Sequence, residues 1–213
     1  MALTVLVDYD SGNLHSAQKA FQRMATETGA GEVIVSSRPE DVARADRVVL
    51  PGDGAFPACR AALKASAGLY EAITEAVTVQ ARPFLGICIG MQMLASRGLE
   101  YSETEGFDWI PGTVEKISPA DPALKVPHMG WNNLVIERAH PVLEGIRSGD
   151  HAYFVHSWQF RTAHAAERIA YVDYAGDVTA IVGRDNIIGT QFHPEKSAAT
   201  GLRLIANFLS WKP

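Results

Sequence analysis

Apolar residues in the first half of the chain fall in short continuous runs separated by stretches of helical periodicity. Leu3-Thr4-Val5-Leu6-Val7 is one such run, of the kind a strand covered on both faces requires. It gives way to a turn-rich loop, Asp8-Tyr9-Asp10-Ser11-Gly12-Asn13, and then to an amphipathic stretch over 14–24. Residues 32–36 predict the next strand, 39–45 a short helix, and 47–50 a third strand running into Pro51-Gly52-Asp53-Gly54. Two helical stretches follow, then a strand over 83–87. Strands alternating with helices predict an α/β fold, a doubly wound, mostly parallel central sheet with helices on both faces. Binding sites in such sheets lie beyond the carboxyl ends of the strands. The loops after Val7, Leu50, Ile87 and Phe192 are therefore site candidates.

From Gly112 the pattern changes. Residues 112–117, 131–136, 152–155, 168–174 and 178–182 read as short strands separated by Gly, Pro and Asp, with no helix between them. They predict antiparallel additions at an edge of the sheet in the C-terminal half. An amphipathic helix over 195–209 is expected to close the chain. There is no internal repeat, low-complexity tract or linker, and 213 residues are expected to form one domain, 1–213.

Composition narrows the function classes. Apolar residues make up 47% and charged residues 20%, which excludes extended disorder. A net charge of −5 gives no support for nucleic-acid binding, which calls for a basic patch. The two cysteines show neither C-x-x-C nor zinc-ligand spacing, so no disulfide framework, metal or cofactor is expected. Cys59 reads as a small apolar helix residue. The start of the chain has no basic segment ahead of an apolar one, and no apolar run reaches membrane-spanning length. A cytoplasmic protein is expected, and a reducing cytosol also suits a free, reactive cysteine.

That cysteine is Cys88. Gly86-Ile87-Cys88-Ile89-Gly90 follows the apolar Pro83-Phe84-Leu85 and opens the helix-like Met91-Gln92-Met93-Leu94. Strand, sharp turn and helix around G-x-C-x-G match a nucleophile elbow with sulfur in place of oxygen. The flanking glycines suit a strained turn that has no room for a Cβ on either side. A helix N-terminus just after Cys88 favours the thiolate, and the Ile89 N–H is positioned to donate to an oxyanion. A buried cysteine between two packing glycines would also fit. The base that such a nucleophile needs is found near the C-terminus. The β-like run Asn186-Ile187-Ile188-Gly189-Thr190-Gln191-Phe192 delivers His193 at its end, and Glu195 follows two residues later, close enough to orient an imidazole. Pro194 and Glu195 also fit a helix start, a reading that leaves His193 unexplained. In Pro51-Gly52-Asp53-Gly54-Ala55-Phe56, an ordinary turn or a second oxyanion donor both fit, since glycines on either side of Asp53 let a peptide rotate.

Gly86-Ile87-Cys88-Ile89-Gly90-Met91-Gln92 together with His193-Pro194-Glu195 resembles the class I (triad) glutamine amidotransferases. Three further runs, Pro127-His128-Met129-Gly130-Trp131-Asn132, Tyr153-Phe154-Val155-His156-Ser157 and Gln191 to Ser197, are similar to the glutaminase subunits of imidazole glycerol phosphate synthases, as are the loops at 8–13 and 51–56. The similarity spans nearly the whole chain. It implies Cys88 as nucleophile, His193 as base and Glu195 as its orienting acid. Backbone groups of Gly52, Asp53, Gly54 and Ile89 would form the oxyanion hole. Gln92, Glu100 and the Ser157 backbone would hold glutamine, with Glu103 a rival to Glu100. Ammonia would pass to a (β/α)₈-barrel cyclase, the partner in a heterodimer, and Asn13, His128, Met129, Trp131 and Tyr153 are candidates for the docking face. Ordinary sheet packing explains Trp131 and Tyr153 equally well. Departures from the family pattern are Asp10 for a common Gly, Asp53 for a small apolar residue, and Trp158 for a usual Tyr. The other readings are the glutaminase of anthranilate or guanylate synthesis, a cysteine hydrolase using the same elbow, and an inactive scaffold that kept the fold.

Overall fold

The computed structural model describes residues 1–10 and 14–213. The first half runs β1 (Leu3–Val7), α1 (Leu14–Thr28), β2 (Glu32–Ser36), α2 (Pro39–Ala43), β3 (Arg47–Gly52), α3 (Phe56–Ala65), α4 (Leu69–Thr74), β4 (Phe84–Cys88) and α5 (Ile89–Gln92). The second half runs β5 (Arg97–Gly98), β6 (Thr104–Glu105), β7 (Gly112–Lys116), β8 (His128–Asn133), β9 (Val135–Ile136), β10 (His151–His156), β11 (Trp158–Thr162), β12 (Arg168–Asp173), β13 (Asp177–Arg184), β14 (Ile187–Thr190) and α6 (Ala198–Ser210).

An eight-stranded sheet in the order β2-β1-β3-β4-β14-β13-β12-β9 organises the molecule. Its first five strands are parallel and the last three antiparallel. β1, β3, β4 and β14 are buried along their whole length, which is why each reads as an unbroken apolar run. β2 lies on one side of β1 and β3 on the other, so the crossovers run in opposite directions. Right-handed crossovers then carry α1 and α2 to opposite faces of the sheet. α1 packs on α6 through an edge-to-face contact of Phe21 with Phe208, their ring centroids 6.5 Å apart.

The C-terminal half only partly follows the expected edge additions. β13, β12 and β9 do extend the main sheet. β8 and β10 instead pair as a separate two-stranded sheet, and β11-β7-β5-β6 form a third. The strand expected over 131–136 is divided at Leu134, whose N–H bonds to Asp150 O: residues before it pair with β10 and those after it with β12. The helix expected from 195 begins at Ala198. Ahead of it Pro194–Lys196 form a 3₁₀ turn, and Ser197 Oγ donates to His193 O at 2.7 Å while accepting from Tyr153 N–H at 2.9 Å.

Candidate active site

Strand register assembles the site. Gly52 at the end of β3 is level with Cys88 at the end of β4, and Thr190 of β14 is level with Ile87 on the other side. Three chain segments therefore leave the sheet side by side, at its carboxyl edge.

Cys88 has φ 56° and ψ −110°, a left-handed conformation that L residues rarely adopt. The glycines permit it. A Cβ on Gly86 would stand 2.5 Å from Gly90 O, and one on Gly90 would overlap the Leu50 carbonyl. A Cβ on Gly52 would meet Ile89 Cβ and Tyr9 Oη at 2.8 Å, so β3 also packs directly on the elbow. Tyr9 Oη donates to Pro51 O at 2.8 Å and fixes the start of the 52–54 loop. α5 is a single turn. Free N–H groups are present there, but the summed dipole expected from a long helix is not.

His193 Nδ1 lies 2.9 Å from Glu195 Oε1, both side chains buried. Its other nitrogen is left free of that bond, and the ring also interacts electrostatically with Cys88. Burial by itself lowers the His193 pKa. Interaction with Cys88, and the hydrogen bond and charge of Glu195, outweigh burial and carry it up to about 10. The imidazole therefore holds its second proton at neutral pH and places a positive charge beside the Cys88 sulfur.

A cavity of about 440 Å³ opens over Cys88, and Asp53, Gly54, Ile89, Gln92, Glu100 and Ser157 are among the residues that line it. This volume suits a small-molecule ligand. Gln92 is fully buried. Its Nε2 donates to Trp158 O at 3.1 Å and to Gln191 Oε1 at 3.0 Å, while its Oε1 has no protein partner. Glu100 is buried on the cavity wall, whereas Glu103 is exposed and paired with Arg97 at 3.3 Å, so Glu100 is the carboxylate at the cavity. The Ser157 carbonyl accepts the Ile117 N–H at 2.9 Å. Asp53 is exposed, where solvent screens its charge, and its own carbonyl accepts from Cys59 Sγ at 3.4 Å. Asp10 has φ 63°, which explains why a glycine suits that position.

The docking-face candidates divide. Met129 and Trp131 are 61% and 54% exposed, and Trp131 packs edge-to-face on half-buried Tyr153. These side chains form an apolar surface on β8 and β10. His128 does not belong to it. Strand alternation turns it inward, where it is 3% exposed and packed against Phe154 and Tyr174. Its Nδ1 lies 3.1 Å from His156 Nε2, and Nε2 lies 3.3 Å from Asn132 Nδ2. Burial lowers the pKa of His128 to about 4 and that of His156 to about 3, so both are neutral. Asn13 lies outside the described residues. Among the described residues no cluster of His, Cys, Asp and Glu is arranged to hold a metal ion.

Sequence reasoning assigned no role to Gln191, which is fully buried with Nε2 3.7 Å from Cys88 Sγ. The available signal was a lone amide at the end of the apolar run 187–192. Tyr101, Lys116 and Trp158 were likewise not anticipated at the cavity.

A family model described as "Glutamine amidotransferase class-I" matches residues 6–211. The imidazole glycerol phosphate synthase subunit HisH of Cereibacter sphaeroides is 75% identical over 211 residues, spanning 99% of this chain and 100% of that protein. The subunit of the same name from Ruegeria pomeroyi is 64% identical over 211 residues, with the same coverage. A solved structure titled "Crystal structure of glutamine amidotransferase" superposes with a TM-score of 0.73 over 97% of both chains at 20% identity, a likeness of fold.

Proposed function

This chain belongs to the class-I glutamine amidotransferase family, and we propose that it is the glutaminase subunit of an imidazole glycerol phosphate synthase. The observation that carries this reading is His193, bonded to Glu195 and electrostatically coupled to Cys88, with Cys88 on the wall of a cavity sized for a small ligand. The chain acts as one domain that hydrolyses glutamine to glutamate and ammonia.

The Cys88 sulfur attacks the side-chain amide carbon of glutamine. Negative charge on the carbonyl oxygen is held by N–H groups at Ile89 and in the Gly52–Asp53–Gly54 loop. Protonated His193 gives its proton to the amide nitrogen, the C–N bond breaks and ammonia leaves. Neutral His193 then takes a proton from water, whose oxygen attacks the thioester, and glutamate departs as the sulfur is restored. Glu195 keeps the imidazole oriented and favours its charged form. Glu100 supplies the counter-charge for the α-ammonium of the substrate. The unpartnered Gln92 Oε1 accepts one of its N–H groups, and the Ser157 backbone completes the clasp.

Ammonia passes to a (β/α)₈-barrel cyclase docked on the surface that holds Met129, Trp131 and Tyr153. There it is used with a ribulosyl-type nucleotide to give imidazole glycerol phosphate and an aminoimidazole carboxamide ribonucleotide, a step of histidine biosynthesis in the cytoplasm. The partner's ligand drives the 52–54 loop into its productive position, because losing one oxyanion donor costs ~3 kcal/mol and silences the isolated subunit. Reconstitution with the cyclase, measuring glutamate release with and without its nucleotide ligand, tests the assignment. Strong stimulation is expected. Equal turnover with and without ligand-bound cyclase rejects the gating, and no glutamate under any condition rejects the glutaminase.

A further inference from the structure

We propose that Gln191 is part of the catalytic machinery, as an amide donor that holds the Cys88 sulfur and stabilises its anionic form, with Gln92 fixing which way the amide faces. The inference rests on the triad reading above and adds to it a second group touching the nucleophile.

The orientation follows from which atoms can donate. The Trp158 carbonyl can only accept, so the groups that meet it, Gln92 Nε2 at 3.1 Å and His156 Nδ1 at 2.8 Å, must both bring hydrogens. Gln92 is thereby locked with its NH₂ toward Trp158 O. The second hydrogen of that NH₂ points at Gln191, so the Gln191 atom 3.0 Å away must be the acceptor Oε1. With Oε1 spent on Gln92, the Gln191 NH₂ is the end facing Cys88 Sγ, at 3.7 Å. The reverse orientation would set NH₂ against NH₂ at one end and oxygen against sulfur at the other.

The backbone holds this arrangement from both sides. Gln191 N–H donates to Ala180 O at 2.8 Å, and the side chain has no solvent exposure in which to turn. His156 belongs to the same network. With Nδ1–H given to Trp158 O, its Nε2 accepts from His128 Nδ1–H, and His128 Nε2 accepts from Asn132 Nδ2. Neutral histidines satisfy every bond in this series, in keeping with their burial. The network ends at the sulfur through Gln191, two residues ahead of His193 on the segment that leaves β14. A neutral donor in a water-poor site strengthens as its acceptor becomes an anion, so the bond favours thiolate over thiol.

The test is alkylation of the full chain by iodoacetamide at about pH 7, with the Cys88 peptide followed by mass so that Cys59 does not contribute. Gln191→Met keeps length and burial but removes the donor, and the initial rate at Cys88 is expected to fall about tenfold. Gln92→Met leaves Gln191 present but unaligned and is expected to slow labelling in the same direction, by less. A Gln191→Met rate equal to the unmodified chain overturns the proposal. Should that variant not fold, the ¹⁵N side-chain amide resonance of Gln191 in the unmodified chain is expected to shift with pH as Cys88 ionises and to stay constant in Cys88→Ala. A resonance that ignores Cys88 ionisation overturns it equally. Both readouts are independent of glutamine and cyclase, so a failed glutaminase assay leaves the outcome for Gln191 readable, and the reverse holds too.

Discussion

The Glu100 carboxylate accepts the backbone N–H of Phe56 at 2.8 Å, across 44 residues of chain. This bond ties the cavity wall to the first residue of α3, directly after the 52–54 loop. One side chain thus lines the cavity and anchors the chain just after the loop that borders Cys88, so the proposed function asks two things of it.

Those two demands separate by mutation. Glu100→Gln keeps an oxygen for Phe56 N–H and loses the charge, so KM for glutamine should rise, by roughly tenfold or more, with kcat little changed. Glu100→Ala also strands a buried N–H, which costs about 1–3 kcal/mol of stability and should lower kcat as well. Steady-state kinetics of the cyclase complex and urea melts of each variant check both statements.

Glu195→Gln should leave His193 in place without its anionic partner. Its pKa then falls from about 10 toward neutrality, and glutaminase kcat drops by roughly 10² or more. NMR titration of the His193 ring in the two proteins measures the first effect directly.

Gly90→Ala would drive a methyl group into the Leu50 carbonyl, backbone against backbone. The elbow must shift or β3 must give way, so a loss on the order of 2–4 kcal/mol and near-complete loss of activity are expected. A thermal melt combined with Cys88 alkylation would show whether the nucleophile is displaced in the molecules that remain folded.

Acid should unfold this protein through its buried histidines. His128 and His156 have folded pKa values of about 4 and about 3, below the unfolded value of 6.5. Between those limits the unfolded chain binds more protons, so the stability each confers is complete above about pH 6.5 and is lost as pH falls. Each contributes a slope of about 1.4 kcal/mol per pH unit until its folded pKa is reached. Urea melts from neutral to about pH 4 should show this decline, and His128→Gln should remove about half of it.

Trp131→Ala should weaken cyclase binding by about 2 kcal/mol, the loss expected of an aromatic at the centre of an interface. The chain's own stability should change by only about 0.5 kcal/mol, because Trp131 is half exposed on β8. Calorimetric titration with the cyclase, set beside a melt of the variant alone, distinguishes docking from packing.

The parallel core and the elbow were legible along the chain. β1, β3, β4 and β14 are covered on both faces, so burial leaves a continuous apolar run that needs no knowledge of neighbours. Gly86, Cys88 and Gly90 declare the turn because its strain is local, and Glu195 stands two residues from the histidine it bonds. The separation of β8 with β10 and of β7 with β11 was not legible. Short strands broken by Gly, Pro and Asp carry no mark of which sheet they join.

By itself, then, the sequence determined the α/β scaffold, the sharp turn at Cys88 and the pairing of His193 with Glu195, since each rests on burial or spacing within a few residues. Tertiary structure alone decided that Glu100 rather than Glu103 meets the cavity, that His128 turns inward while Trp131 stays out, and that Gln191 reaches the sulfur. The physical reason is distance along the chain. Gln191 and Cys88 are 103 residues apart and His128 and His156 are 28 apart, and a directional bond between such groups exists only once strand register has set them level.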